Sequence, residues 1–184
     1  TGRLGRRLRE DRGGANGEGE TMSAGDELVD VVDDAGNTIA VVTRREMRAK
    51  RLPHRCVYVL VFDSRGNLFI HMRTPTKDIW PSRWDICIGG VLTAGESFDV
   101  GVGREVREEL GIDVAVEPLW PFRYGEEIHG MVYRGVSEGP FRLQVEEIVR
   151  GEFVAPEEVL ERTKSQPFCP DGVQVLERYL SEPK

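Results

Sequence analysis

Long hydrophobic runs and paired cysteines are both missing from this sequence of 184 residues. No apolar run reaches the length that spans a membrane, and the N-terminus lacks the apolar core of a secretory signal. The three cysteines, Cys56, Cys87 and Cys169, are widely spaced and form no C-x-x-C motif, which is typical of free thiols in a reducing compartment. We therefore expect a cytoplasmic protein that does not associate with membranes.

Positive charge is also in deficit, with 25 Lys and Arg residues against 32 Asp and Glu residues. The resulting net charge of −7 argues against general affinity for nucleic acid or for an anionic membrane surface. A phosphorylated substrate is still compatible with this charge, because a bound metal ion changes the local sign. Histidine is scarce as well, and neither His71 nor His129 has the spacing of a metal site.

The chain divides by composition into a tail and one domain. Residues 1–24 are rich in Arg, Gly and Glu and contain almost no large apolar side chains. Such a segment buries too little surface to offset the entropy lost on ordering, so its composition predicts a disordered N-terminal tail. Residues 25–184 are enough for a single domain with a substantial core.

Hydrophobic alternation, capping residues and turn signals predict interleaved strands and helices in this domain. Strands are predicted at 27–32, 38–42, 56–62, 68–72, 84–89, 114–117, 123–124, 131–136 and 148–154. Helices are predicted at 44–50, between Ser97 and Gly111, from residue 156 onward and at 172–180. Elements of both kinds in this order indicate an α/β fold with a mixed β-sheet covered by helices.

The most informative segment is residues 90–112, GVLTAGESFDVGVGREVREELGI. It matches the spacing G-x5-E-x7-R-E-U-x-E-E-x-G-U, where U is a bulky aliphatic residue, at every specified position. A chance match has a probability on the order of 10⁻⁵ or less, given ordinary residue frequencies. The specified positions are Gly90, Glu96, Arg104, Glu105, Val106, Glu108, Glu109, Gly111 and Ile112.

Three carboxylates of this segment fall on one helix face. Glu105, Glu108 and Glu109 are spaced i, i+3 and i+4, and such neighbours repel one another unless a cation neutralises them. Mg²⁺ prefers oxygen ligands and often shares them with substrate phosphates. The alternative is a solvated acidic face, but the flanking glycines together with Glu96 and Arg104 favour a metal site.

Two glycines inside the predicted helix, Gly101 and Gly103, weaken it, since each costs about 1 kcal/mol relative to Ala. We expect close approach of the helix backbone to a neighbouring layer at these positions. Ser97 is placed to cap the N-terminus of this helix, and Gly111 is placed to end it.

The spacing resembles the Nudix box, the signature of hydrolases that cleave a diphosphate linked to another moiety. The resemblance implies an α/β/α sandwich with a mixed sheet and Mg²⁺ (or Mn²⁺) as the cofactor. It implies that Glu105, Glu108 and Glu109 are metal ligands, with Glu105 as a ligand or the general base, and that the Gly89 carbonyl is a further ligand. A homodimer is a family-level expectation.

The resemblance also implies supporting roles outside the three acids. Arg104 is expected to pair with Glu96 or with the catalytic carboxylates. A further acid is expected downstream of the box, where Glu146 and Glu147 precede the strand at 148–154; both are alternatively ordinary loop acids. We count Arg104 and Glu147 among the catalytic candidates.

The implied reaction is attack of water on one phosphorus of a small-molecule diphosphate of the nucleoside diphosphate-X type. Mg²⁺ would lower the pKa of the water and absorb charge on the leaving oxygens, and a carboxylate would take the proton. The box does not specify the leaving group, so nucleoside triphosphates, nucleotide sugars, dinucleotides, coenzyme A and prenyl diphosphates all stay open.

The segment before the box resembles type I isopentenyl-diphosphate isomerases and, still more, a bacterial branch of isomerase-like Nudix hydrolases. The resemblance implies that Arg73 and Lys77 hold the substrate diphosphate, and their alternative is a pair of surface cations on an exposed loop. His54 is a candidate substrate-binding residue, although a structural histidine is the favoured interpretation. Trp80 and Trp84 either stack on a substrate or pack in the core.

Isomerase activity itself is a weaker alternative. The alignment places Gly89 and Val91 where the isomerases carry a proton-transferring Cys and a metal-binding His. Cys87 lies two residues away, a displacement of about 6–7 Å along a strand, and proton transfer needs hydrogen-bond distance. A third alternative is a non-catalytic module that senses a diphosphate, but such relatives usually lose box carboxylates and here none is missing.

Overall fold

A computed structural model describes residues 23–182, so that the predicted tail lies outside the described residues except for Ser23 and Ala24. A short 3₁₀ helix (Ala24–Asp26) comes first. The elements that follow are β1 (Leu28–Val32), β2 (Thr38–Thr43), α1 (Arg44–Lys50), β3 (His54–Phe62), β4 (Leu68–Arg73), β5 (Trp84–Asp85), α2 (Phe98–Leu110), β6 (Val116–Tyr124), β7 (Ile128–Val136), β8 (Ile148–Val154), α3 (Pro156–Thr163) and α4 (Pro170–Ser181).

The mixed sheet consists of two halves that separate between β3 and β4. In one half β7 runs parallel to β3 over the whole of that strand, β6 is antiparallel to β7, and the β1–β2 hairpin contacts the start of β3. In the other half β4 lies between β5 and β8, antiparallel to both. β3 and β4 pair only through Phe62 and Leu68 beside their connecting turn. The sheet is therefore open where these two strands diverge.

The segment that leads into the box fills this opening. It begins as β5 on the edge of β4 and then crosses to β3, where Ile88 pairs with Val59 and Val91 pairs with Cys56. The expected strand at 84–89 is consequently reduced to the two residues of β5 and isolated bridges. This crossing places Gly89 and Gly90 at the centre of the sheet.

Helices cover both faces of the sheet, as an α/β/α sandwich requires. Along β3 the side chains alternate, so that Val57, Val59 and Val61 belong to the core beneath α2. Tyr58, Leu60 and Phe62 belong to the opposite core, which also includes buried residues of α1, α3 and α4. The box helix α2 thus packs on one face of the sheet, and α1, α3 and α4 pack on the other face. This arrangement confirms the expected fold class.

One predicted pair of strands was wrong. The expected strands at 114–117 and 123–124 are parts of the single strand β6, which starts at Val116. Within residues 23–182, β6 pairs with β7 alone, although it contains Pro118 and Pro121. Proline is tolerated in such an edge strand because the missing N–H faces no partner.

The expected helix caps are present. The Thr43 side chain accepts a hydrogen bond from the Glu46 N–H at the start of α1, and that of Ser97 accepts one from Val100 at the start of α2. The C-terminal helix α4 begins at Pro170, two residues before its predicted start. Among the described residues, no helix combines the length and apolar character needed to cross a bilayer.

Candidate active site

The box helix α2 is oriented by its apolar face. Val102, Val106 and Leu110 are buried against β3, and Gly111 ends the helix with a φ of 68°. With this face fixed, Glu105 and Glu109 are buried, whereas the Glu108 side chain keeps 49% of its surface exposed.

Glycine is required where the Glu105 carboxylate meets the sheet. A Cβ atom at Gly90 would lie 2.8 Å from Glu105 Oε1. A Cβ atom at Gly89 would lie 2.1 Å from the Val57 carbonyl oxygen, and Gly89 has a φ of 146° that disfavours other residues. The Gly89–Gly90 pair therefore lets backbone and carboxylate approach each other closely.

Arg104 links the acids at the exposed end of this arrangement. Its Nε and Nη2 donate to the two carboxylate oxygens of Glu96, each at 2.8 Å. Its Nη1 donates to Glu105 at 2.9 Å and to Glu108 at 3.0 Å. Arg104 thus makes both of the contacts that the sequence left as alternatives, and it holds Glu105 in place through its guanidinium fork.

The pKa values of Glu109 and Glu105 are raised by their surroundings. Burial, followed by the charges of Glu105 and Glu147, raises the pKa of Glu109 well above its usual value. Burial also raises the pKa of Glu105 to about 7, against the opposing effect of Arg104. Buried carboxylates that repel one another need a counter-charge, and oxygen donors of this kind suit a hard divalent cation.

The described side chains do not by themselves form a closed coordination shell. Within residues 23–182, no three His, Cys, Asp or Glu side chains converge closely enough to hold one ion. Arg104 occupies Glu105 and Glu108, and Lys77 Nζ lies 2.8 Å from Glu147 Oε2. The donor chemistry fits a divalent cation, while cationic side chains supply the counter-charge in this arrangement.

A pocket of about 120 Å³ lies beside these acids and contains several of the sequence candidates. Glu105 and Glu147 line it together with Gly89 and Gly90. Of the two downstream acids, Glu147 faces this pocket, whereas the Glu146 carbonyl accepts a hydrogen bond from Thr74.

Arg73 and Lys77 also line the pocket and are not exposed surface cations. Their side chains are only 16% and 18% exposed. Arg73 Nη1 donates to Asp85 at 3.0 Å, and its Nη2 donates to the Ile79 carbonyl at 2.9 Å. Both cations are therefore held in place within reach of an anionic ligand.

His54, the third candidate for substrate binding, lines the same pocket. Its Nδ1 lies 2.8 Å from the Leu52 carbonyl oxygen, but its buried Nε2 has no hydrogen-bonding partner among the described residues. A structural histidine with both ring nitrogens hydrogen-bonded is therefore not what is found, because one nitrogen has a partner and the other has none.

Trp80 and Trp84 lie in different parts of the structure. Trp84 is buried in the core and stacks on Phe168. Trp80 lines the pocket, with its ring 4.9 Å from the Arg83 guanidinium, and has a φ of 51°. Of the two, only Trp80 is placed to contact a ligand.

Four further pocket residues were missed as site candidates. Arg44 and Arg48 extend from α1, where the i, i+4 spacing of two cations was the available signal. Arg44 pairs with Glu27 at 2.6 Å, and Arg48 lies 3.3 Å from Asp78. Tyr58 and Asp171 also line the pocket, but nothing in their sequence neighbourhoods marked them.

Comparison with known proteins places these features in one family. The NUDIX domain model matches residues 52–176. A Pseudomonas aeruginosa protein named as an uncharacterized Nudix hydrolase is 37% identical over 158 residues, which cover 84% of this chain and 94% of that protein. The uncharacterized Nudix hydrolase YfcD of Escherichia coli K12 is 36% identical over 157 residues, covering 83% of this chain and 86% of YfcD.

Solved structures agree on the fold. A crystal structure from Deinococcus radiodurans has a TM-score of 0.76 and 25% identity, and the match covers 83% of this chain and 98% of that one. The NUDIX domain of Shewanella oneidensis NrtR, solved with ADP ribose, has a TM-score of 0.56 and 16% identity, covering 76% and 97%. The family match, the relatives and the intact box together show that this chain is a hydrolase of the Nudix family.

Proposed function

We propose that this protein catalyses the Mg²⁺-dependent hydrolysis of a diphosphate bond in a small molecule of the nucleoside diphosphate-X type. The observation that carries the proposal is the pocket, which Glu105 and Glu147 line together with Arg73 and Lys77. Acids suited to a divalent cation and cations suited to phosphate oxygens thus share one cavity.

The family resemblance supplies a role for each of these residues. Glu105, Glu108 and Glu109 would hold the cation, with Glu147 and the Gly89 carbonyl as additional oxygen donors. When bound, the cation lowers the pKa of an attacking water and neutralises charge on the phosphate oxygens. Mn²⁺ could replace Mg²⁺ at such a site.

The remaining chemistry belongs to side chains of the chain itself. Glu105 lines the pocket and is the candidate general base in the alternative where it does not ligate the cation. Arg104 keeps its carboxylate in position. Arg73 and Lys77 would bind the diphosphate, and Arg73 is preorganised because Asp85 and the Ile79 carbonyl already hold its guanidinium.

Isomerase activity has less support. Cys87 lines the pocket, but burial raises its pKa well above the usual value, so that it holds its proton as a thiol. Gly89 and Val91 carry neither the acid nor the ligand that isomerisation needs.

We also propose a cytoplasmic protein, since Cys56, Cys87 and Cys169 are all buried free thiols. A homodimer is kept as a proposal from the family resemblance alone. The NrtR domain was solved with ADP ribose, which makes nucleotide-linked sugars sensible members of a substrate panel.

The proposal is tested by replacing Glu109 with Gln. We expect Glu109→Gln to lower kcat by about 10²-fold or more on every hydrolysed diphosphate, because the neutral amide of Gln lacks the negative charge that binds a cation. The matched control is Glu177→Gln, an exposed position on α4, which should change kcat less than about twofold. Release of phosphate products from a broad diphosphate panel with Mg²⁺ gives kcat, and hydrolysis in ¹⁸O-water identifies the phosphorus attacked.

Isothermal titration calorimetry with Mg²⁺ accompanies this assay. Wild-type and Glu177→Gln protein should bind Mg²⁺, and Glu109→Gln should bind it more weakly. Failure of the wild type to hydrolyse any diphosphate while it binds Mg²⁺ would falsify the proposed activity.

A further inference from the structure

One wall of the pocket is built from the same face of β3. His54, Cys56 and Tyr58 alternate along that strand and all line the pocket. At about 3.3 Å per residue, His54 and Tyr58 are roughly 13 Å apart along the strand. Asp171, at the start of α4, lies across from Tyr58 and accepts its hydroxyl hydrogen at 3.0 Å. We call His54, Tyr58 and Asp171 the acceptor wall.

The hydrogen on His54 is assigned by its neighbour. Nδ1 lies 2.8 Å from the Leu52 carbonyl oxygen, which can only accept, so Nδ1 carries the hydrogen and Nε2 is a free acceptor. Burial, aided by Arg48 and Arg44, lowers the pKa of His54 to about 4, so the ring is neutral at physiological pH.

Nε2 is the unsatisfied atom of this ring. The side chain is 1% exposed, and Nε2 has no hydrogen-bonding partner among residues 23–182. A buried acceptor without a partner is costly, so a donor supplied by a ligand would be stabilising.

Asp171 and Tyr58 present acceptors at the other end of the wall. Asp171 Oδ2 accepts from Tyr58, and Oδ1 accepts from the Gly172 N–H at 3.0 Å. Burial and the charge of Asp85 raise the pKa of Asp171, whereas the donors Tyr58 and Gly172 favour its charged form. A carboxylate has about four acceptor positions, so capacity is left for a ligand. Tyr58 has already committed its only hydrogen to Asp171, and its hydroxyl oxygen can therefore only accept.

The acceptor wall shares its pocket with Arg73 and Lys77, the proposed diphosphate ligands. The group attached to a diphosphate held by these cations would lie in the same pocket as the wall. A prenyl chain offers no hydrogen-bond donor and would leave the acceptors unpaired. A polyhydroxylated group offers several donors and would pair with them.

We propose that His54 and Asp171 are specificity-determining residues that accept hydrogen bonds from the hydroxyl groups of a sugar-like moiety attached to the substrate diphosphate. The proposal rests on the proposed function for the position of the diphosphate. It names the class of leaving group that the box leaves open.

The test compares two ligands of equal ring size that differ in hydroxyl groups, glucose 1-diphosphate and cyclohexyl diphosphate. Both are used as non-hydrolysable methylene-bisphosphonates, and the dissociation constant Kd of each is measured by calorimetry on the full chain with Mg²⁺. We expect the wild type to bind the sugar ligand at least about tenfold more tightly, the effect of one or two net hydrogen bonds.

Variants of the wall should change this ratio. His54→Phe and Asp171→Ala remove an acceptor and should each lower the ratio by about tenfold. His54→Gln and Asp171→Asn retain an acceptor oxygen and should preserve most of it. His129→Phe, on β7 and outside the pocket, is the control and should leave the ratio unchanged. A thermal melt identifies any variant that fails to fold. If the variants at one of the positions His54 and Asp171 do not fold, the binding ratio of the variants at the other position tests the proposal.

The outcomes separate this inference from the proposed function. Equal binding of the two ligands by the wild type overturns the acceptor wall, even if glucose 1-diphosphate and cyclohexyl diphosphate are both hydrolysed. An equal loss of affinity for both ligands in His54→Phe overturns it too, because the histidine then acts on the diphosphate or on the fold. Preferential binding of the sugar ligand by a wild type that hydrolyses no diphosphate of the panel supports the wall and contradicts the proposed hydrolysis.

Discussion

The three glutamates on one face of α2 differ in how deeply they are buried. Glu105 and Glu109 are buried, while Glu108 keeps 49% of its side chain exposed although it shares their helix face. Burial raises the pKa of both buried acids, and Arg104 opposes this for Glu105. Glu108 can exchange its contact with Arg104 for a cation at little cost, because surface ion pairs contribute little free energy.

A second buried residue, His71, affects stability more than chemistry. It is 2% exposed, and its Nδ1 has no partner among the described residues. Burial lowers its pKa to about 4, with Asp85 and Glu147 opposing this effect and Arg73 and Lys77 adding to it. Because the folded-state pKa lies below the usual value of 6.5, the unfolded chain binds more protons between these values. The contribution of His71 to stability is therefore full above pH 6.5 and is lost as the pH falls towards 4.

We predict that His71 accounts for a loss of about 2 kcal/mol in the free energy of unfolding between pH 7 and pH 5. Phe has no proton to gain and can keep the stacking on Phe69, so His71→Phe should lose correspondingly less over the same range. Urea unfolding at a series of pH values measures the difference. Equal pH dependence in the variant and the wild type would contradict the prediction.

At the scale of an element, the two glycines of α2 have opposite surroundings. A Cβ atom at Gly101 would lie 2.0 Å from Leu92 Cδ2 and 3.1 Å from Glu96 Oε2. Leu92 is buried and has no room to withdraw. A Cβ atom at Gly103 would have nothing within 4 Å. The expected close packing is therefore present at Gly101, and the same expectation for Gly103 was wrong.

This pair makes a matched test. Gly101→Ala should destabilise the protein by about 1–3 kcal/mol, because overpacking outweighs the gain in helix propensity. Gly103→Ala should stabilise it by up to about 1 kcal/mol through helix propensity alone. Denaturant unfolding of both variants measures the two free energies. Changes of the same sign in both would show that packing does not distinguish the two sites.

At the scale of the whole molecule, the N-terminal elements belong to the fold although the family model begins at residue 52. Val29 of β1 and Met47 of α1 lie in the main core. The Asp30 carboxylate accepts hydrogen bonds from Arg55 on β3 and from the Gly95 N–H in the loop before α2. β1 thus connects directly to the loop that positions the box helix.

We predict that a chain truncated to residues 23–184 keeps the activity of the full chain, whereas residues 52–184 alone do not fold cooperatively. The chain of residues 52–184 would expose the core beneath β1 and α1 and leave Arg55 partly buried without its partner Asp30. Thermal melts monitored by circular dichroism, together with the diphosphatase assay, compare the two. A cooperative transition of unchanged Tm in the shorter chain would show that β1 and α1 are dispensable.

Local features were readable from the sequence. The caps at Thr43 and Ser97 and the end of α2 at Gly111 all follow from interactions between residues a few positions apart. The family also follows from the local spacing of the box. These signals are short-range, since periodicity and capping depend on neighbours along the chain.

Tertiary structure alone decided how the pocket is closed and which box acids are buried. Tyr58 and Asp171 are 113 positions apart, and they meet because α4 packs in the same core as the Tyr58 face of β3. Helical spacing placed Glu105, Glu108 and Glu109 on one face, but it did not distinguish the exposed one. The apolar positions Val102, Val106 and Leu110 indicate which side of α2 packs on the sheet, but the depth of each carboxylate depends on contacts with distant segments such as β3, which spacing along one helix does not record.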